Sequence, residues 1–140
     1  MKVLVDTSVW SLALRRRGAS RAEELLIVRE LEELIREGRA FLAGPIRQEL
    51  LSGISDVKQY RKLRDRLRDF DDLPADRRTF ETAAEFSNSC RRRGIQGSHI
   101  DFLICAIAAG NGVPIFTTDR DFENYAASLP LRLHVPRSGR

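Results

Sequence analysis

Three short apolar runs separated by helix-period segments constrain this chain more than any other feature. They are Lys2-Val3-Leu4-Val5, Ala40-Phe41-Leu42-Ala43 and Val113-Pro114-Ile115-Phe116. Runs of this kind, apolar without alternation, predict strands buried on both faces. Between them the spacing predicts helices over 7–14 and 21–37. The second is amphipathic, with Leu25, Leu26, Val28, Leu31, Leu34 and Ile35 on one face, and Gly38 stops it. Gly44-Pro45 opens another helix that ends near Gly53, with the proline suited to the first turn. Asp56 caps a helix running to Asp69, and Asp76 caps one over 77–93. Ser98 starts an apolar helix that reaches Ala109, and a short helix spans 120–126. Residues 18–20 and 94–97 read as loops. Phe70-Asp71-Asp72-Leu73-Pro74 and Leu131-Arg132-Leu133 add two candidate strands, the first ended by its proline.

Short strands alternating with helices imply an α/β fold whose central parallel sheet, of four to five strands, is covered on both faces. A length of 140 residues fits one domain, expected over 1–135 with a flexible tail at 136–140. Apolar residues make up 42% and charged residues 31%, a globular rather than a disordered balance. No apolar run approaches the roughly 18 residues a membrane span needs. Asp6 interrupts the first apolar stretch, so a signal-peptide pattern is absent. The expected address is the cytoplasm, with no membrane partner. Cys90 and Cys105 form no CxxC pair, which argues against a thiolate metal site and against a disulfide.

The net charge is +4, and the excess is arginine, because the chain has only the lysines Lys2, Lys58 and Lys62. Arginine binds phosphate through two parallel hydrogen bonds. Clusters at 15–17, 61–68, 77–78 and 91–93 suit a polyanionic partner. In Arg61-Lys62-Leu63-Arg64-Asp65-Arg66-Leu67-Arg68-Asp69, however, the signs alternate, which reads as a solvated helix face.

Ligands of open parallel sheets bind beyond the carboxyl ends of the strands. Asp6 immediately follows the first strand, and Asp119 follows the Ile115-Phe116 strand. Glu49 sits about one turn past Pro45, and Asp101 lies in the first turn of the helix opened by Ser98. Two carboxylates about 4 Å apart repel by roughly 4 kcal/mol at an effective dielectric of about 20, so four converging acids need protons or cations. With no His or Cys beside them, an all-oxygen set selects a hard ion such as Mg²⁺ or Mn²⁺. Such ions suit phosphodiester cleavage, where they help generate hydroxide and stabilise the leaving oxygen.

Each acid also has a structural reading that is as good when taken singly. Asp6 and Asp119 can cap helices, Ser98-His99-Ile100-Asp101 fits a capping box, and Glu49 can be an exposed helical residue. Their joint position relative to the strands favours a site. Thr7, Ser8 and Thr117 can orient carboxylates or water through their hydroxyls, or serve turns and caps. His99 reads as an exposed polar residue, and His134, near the C-terminus, as one without a role. Ser8 and His99 lack the third partner of a hydrolase triad. Trp10 reads as core or dimer surface.

The ordered segments resemble the PIN domain, in particular the VapC-type toxins of toxin–antitoxin modules, over nearly the whole chain. Val3-Leu4-Val5-Asp6-Thr7-Ser8-Val9-Trp10 resembles the family's opening strand and first acid. Gly44-Pro45-Ile46-Arg47-Gln48-Glu49-Leu50-Leu51-Ser52-Gly53 resembles its second motif, with the acid at Glu49. Gly97-Ser98-His99-Ile100-Asp101-Phe102-Leu103-Ile104-Cys105-Ala106 resembles the third, with the acid at Asp101. Ile115-Phe116-Thr117-Thr118-Asp119-Arg120-Asp121-Phe122 resembles the fourth, with Thr117 and Asp119 at the matching polar positions and Asp121 close by. The resemblance implies a three-layer α/β/α sandwich and Mg²⁺-dependent endoribonuclease activity on structured RNA, with Mn²⁺ as a possible substitute. It also implies a homodimer and a small VapB-type antitoxin that blocks the site.

Two other classes compete. A receiver-like phosphoacceptor domain would need an acidic pair after the first strand and a late lysine, but Asp6 stands alone and no lysine follows Lys62. A non-catalytic RNA- or protein-binding module would use the arginines and leave the acids as caps. Metal binding separates this last reading from the enzyme.

Overall fold

The computed structural model describes residues 1–15 and 21–138. The loop expected at 18–20, Arg16 and Arg17 of the first arginine cluster, and residues 139–140 of the expected tail lie outside them.

The chain order is β1 (Val3–Val5), α1 (Thr7–Leu14), α2 (Ala22–Arg36), β2 (Ala40–Phe41), α3 (Gly44–Leu51), α4 (Val57–Leu67), α5 (Arg77–Arg92), α6 (His99–Asn111), β3 (Ile115–Phe116) and α7 (Asp121–Ser128). The sheet order is β2-β1-β3, and both pairings are parallel. Val3 pairs with Ala40 on one side of β1, and Val5 with Phe116 on the other. Parallel pairing requires crossovers, which the helices supply. Val3, Leu4 and Val5 are all fully buried although alternate side chains point to opposite faces. Both faces of β1 are therefore covered, which is why the run shows no polar alternation.

The expected four to five strands are three among the described residues. The two flanking candidates shrink to single parallel bridges, Leu42 with Asp72 and Ile115 with Leu133. Leu73 N donates to Leu42 O at 2.8 Å, and His134 N donates to Ile115 O at 2.7 Å. Prolines end both segments: Pro74 follows one, and Pro130 and Pro136 bracket the other. A proline has no amide to extend a ladder.

Helix boundaries follow the local chemistry. Asp56 caps α4 through the amides of Lys58 and Gln59, and Asp76 caps α5 in a reciprocal box with Thr79. Gly112 ends α6 with φ of 66°, a left-handed cap that favours glycine. Trp10 belongs to the core: its Nε1 donates to Val5 O at 3.0 Å, and its ring meets Phe70 edge-on at 4.9 Å. Cys90 and Cys105 are both buried and free.

Several arginines are structural. Arg47 of α3 reaches Asp72 and the carbonyl oxygens of Leu67 and Phe70, which straps α3 to the segment after α4. Arg64 and Arg68 pair with Asp65, as the alternating pattern of α4 predicts. At the C-terminal end, Arg137 pairs with Glu30 of α2 and with Glu37 just past its end, so this part of the expected tail is tied to the domain. His134 also has a structural place, since its Nε2 lies 2.5 Å from Glu30 Oε2 and its ring packs on Phe116. No helix among the described residues is long and apolar enough to cross a membrane.

Candidate metal centre

The register of the sheet builds the first half of the site. Val5 pairs with Phe116, so the residues just beyond them, Asp6 and Thr117, emerge side by side at the carboxyl ends of β1 and β3. Asp6 N donates to Phe116 O at 2.8 Å, which locks the two ends together. Asp6 is only 6% exposed. It occupies the cap position of α1, yet its side chain makes no capping bond. Instead Oδ2 accepts from Thr117 Oγ1 at 2.8 Å and from Ser8 Oγ at 3.1 Å.

Each hydroxyl is itself oriented. Thr117 Oγ1 accepts from Asp119 N, and Ser8 Oγ accepts from Thr118 N, both at 3.0 Å. With the amides donating to them, the two hydroxyl protons are left to point at Asp6. Helix capping does not account for this carboxylate. The Thr7 hydroxyl stands apart: it is buried and has no hydrogen-bond partner among the described residues.

The second half comes from the starts of α6 and α7. Ser98 caps α6 by accepting from Asp101 N at 3.1 Å, which leaves the Asp101 carboxylate to project from the first turn. That carboxylate accepts from the Tyr125 hydroxyl of α7, at 2.8 Å from Oδ2. Asp119 shapes the turn into α7, since its Oδ1 accepts from Asp121 N at 3.0 Å. This is the local role its position suggested, and it still leaves the carboxylate exposed. Asp101, Asp119 and Asp121 each offer an oxygen within 4.8 Å of the others.

Burial pushes the Asp101 carboxyl above its ordinary value; hydrogen bonds from Tyr125 and Ser98 oppose this, and the charges of Asp119 and Asp6 add to the rise. Burial and the bond to Asp101 hold the Tyr125 phenol well above its usual range, so it stays a donor. The two charges that act most on Asp101 are thus both negative. Among the described residues no arginine, lysine or histidine pairs with Asp6, Asp101, Asp119 or Asp121.

A hard divalent ion fits such a donor set. Oxygens on opposite sides of Mg²⁺, at about 2.1 Å each, lie about 4.2 Å apart, within the spread of this cluster. The structure gathers Asp101 and Asp119 with Asp121, and sets Asp6 near enough to act on Asp101 through its charge. It does not bring Glu49 into the cluster: that residue is exposed on α3 and makes no side-chain ion pair or hydrogen bond among the described residues.

Two further residues shape this centre: Tyr125, which no motif marks, and Gly97, which the sequence places in a loop and at the start of the third motif without a role of its own. Tyr125 lies four residues after Asp121, one helical turn along the same face, and a buried phenol needs a partner. That spacing was the available signal. Nothing local pointed to Gly97.

A sequence profile of the PIN domain matches residues 3–128, and the chain belongs to this family. Solved structures share its fold. The structure of FitAcB from Neisseria gonorrhoeae is 23% identical, with a TM-score of 0.75 over 96% of this chain and 97% of that one. DNA-bound VapBC from Salmonella typhimurium is 15% identical, with a TM-score of 0.76 over 96% and 97%. VapBC-5 from Mycobacterium tuberculosis, a member of a toxin–antitoxin family, is 20% identical, with a TM-score of 0.63 over 99% and 100%. No curated protein matches the chain.

Proposed function

We propose that this chain is a metal-dependent endoribonuclease, the toxin of a toxin–antitoxin pair. The observation that carries the reading is the cluster of Asp101, Asp119 and Asp121, without a basic partner among the described residues and with Asp6 beside it, where β1 and β3 end in a PIN fold. Asp101, Asp119, Asp121 and Asp6 would hold Mg²⁺, or Mn²⁺ in its place. The ion would supply a polarised water and charge neutralisation for phosphodiester hydrolysis.

The chain's own groups do the rest. Ser8 and Thr117 fix the Asp6 carboxylate, and the first turns of α6 and α7 aim Asp101 and Asp121 at the same point. Burial of Asp6 limits its access to bulk water. Glu49 enters as an outer group that reaches the site through solvent. Thr7 has no assigned step.

The partner in this reading is a small VapB-type antitoxin, in line with the VapBC family of toxin–antitoxin systems to which VapBC-5 belongs, and the toxin itself is a homodimer. Structured cellular RNA is the substrate, which sets the work in the cytoplasm. Arginine-rich segments such as 91–93, which make no side-chain ion pair among the described residues, are the candidates for holding its backbone.

The direct test uses purified chain, free of antitoxin, with structured RNA and Mg²⁺, beside Asp6→Asn and Asp101→Asn. Cleavage is expected from the wild type alone and is lost with EDTA. Cleavage that persists equally in the variants, or in EDTA, overturns the assignment.

A further inference from the structure

Tyr125 links the acidic cluster to the core. It is fully buried on α7, and its ring lies 5.1 Å from Phe102 and 5.2 Å from Phe122. Phe102 follows Asp101 in sequence, and Phe122 follows Asp121. This aromatic trio therefore packs the start of α6 against α7 and sets the separation of the acids that those helices carry. The trio ends on a polar contact, the Tyr125 hydroxyl donating to Asp101 Oδ2 at 2.8 Å.

Gly97 shows how closely the hydroxyl is housed. A Cβ at this position would sit 2.5 Å from the Tyr125 oxygen and 2.8 Å from Phe102 Cζ. The limit is space rather than backbone conformation, because Gly97 does not have a positive φ. Even one methyl group would displace the hydroxyl and press on the Phe102 ring beside it, since both distances fall below any real contact.

We propose that Tyr125 is a positioning residue for the metal centre: its hydroxyl holds the Asp101 carboxylate in the orientation that meets the cation, and Gly97 leaves the room for that contact. The proposal rests on the metal-centre reading above. Groups that orient ligating carboxylates tune metal affinity even though they never touch the ion, and their loss typically weakens binding roughly 10–100-fold. A purely structural role makes a different demand. Phenylalanine keeps the ring and its packing on Phe102 and Phe122, so a core residue would tolerate the change with metal affinity intact.

The test is a Mn²⁺ titration of metal-free protein, followed by electron paramagnetic resonance of the free ion and by calorimetry, with no RNA present. Wild type, Tyr125→Phe, Gly97→Ala, the double variant and Asp101→Asn are compared, and melting in EDTA reports folding. Tyr125→Phe is expected to fold and to bind Mn²⁺ roughly 10–100-fold more weakly. Gly97→Ala, which displaces the same hydroxyl, is expected to weaken binding as well, and the double variant to be no worse than Tyr125→Phe alone, because both changes remove one contact. Wild-type affinity in a folded Tyr125→Phe overturns the proposal and leaves the metal centre standing. If that variant does not fold, wild-type affinity in Gly97→Ala overturns it in the same way. Absence of Mn²⁺ uptake by the wild type, or equal uptake by Asp101→Asn, overturns the metal-centre reading and this proposal with it.

Discussion

Among the described residues, the acids around Glu30 and those at the strand ends are treated in opposite ways. On α2, Glu30 is 3% exposed and is met by Arg137 Nε at 2.9 Å and His134 Nε2 at 2.5 Å. Glu37, one end of the same network, is held down to about 2, chiefly by its hydrogen bonds to Arg137. At the strand ends, Asp101 is pushed the other way by burial and by its acidic neighbours. The chain is rich in arginine, yet among the described residues none pairs with Asp6, Asp101, Asp119 or Asp121. One buried acid is neutralised from the C-terminal segment, whereas the four at the strand ends have no basic partner among the described residues, and it is this contrast that the proposed metal centre rests on. Internal pairing makes a latch, and the unmatched charge is what the proposed function reads as a ligand set.

The largest effect should come from striking the unmatched cluster. Asp101→Asn removes a ligand that the metal reading requires, and RNA cleavage should fall on the order of 10³-fold, several kcal/mol of lost transition-state stabilisation. Initial rates across a Mg²⁺ series check this, and a variant within tenfold of wild type would erase the contrast between the clusters. The latch should respond in stability instead. Arg137→Ala leaves Glu30 buried with His134 as its remaining partner, so the protein should unfold at lower urea, by less than the loss of a fully buried pair because the guanidinium is half exposed. Urea unfolding measures it, and the cleavage rate of the folded fraction should stay near wild type.

Glu49 sharpens the comparison from between the two clusters. It lies outside the acidic group, so Glu49→Gln should lower cleavage by less than tenfold, well short of Asp101→Asn. A loss as large as that of Asp101→Asn would show that the residue swings into the site with substrate.

The smallest effect belongs to the exposed end of the latch. The folded Glu37 value, about 2, is below its ordinary 4.5. Its contribution is therefore complete above the unfolded value and fades as the pH falls from about 4.5 through about 2. Acid unfolding of Glu37→Gln should show a slightly shallower slope in that window, and an unchanged slope would mean that solvent screens the pair completely.

Much of this was legible in the residues. The apolar runs predicted β1, β2 and β3, and capping chemistry located α4, α5 and α6 to within a few residues. Asp6, Asp101 and Asp119 stood out by their positions after strands or at a helix start. Expectation and structure part at particular residues. The flanking strands at 70–74 and 131–133 looked like strands by composition, but the prolines around them restricted each to a single bridge. Glu49 matched its motif, yet α3 presents it to solvent away from the cluster. Asp121 looked secondary to Asp119, yet the first turn of α7 brings it within reach of Asp101.

Sequence by itself determined the order of strands and helices, the acids available to a site and the membership in a family, because periodicity, caps and motifs are properties of neighbouring residues. Tertiary structure decided which acids converge, that Asp6 is held by two hydroxyls rather than spent on a cap, that Tyr125 ends on Asp101, and that Arg137 goes to Glu30 rather than to the strand ends. Those outcomes depend on the Val5–Phe116 register and on how α6 and α7 pack through Phe102, Phe122 and Tyr125. They join residues as far apart as Asp6 and Thr117, and spacing along the chain carries no information about which distant groups the core will press together.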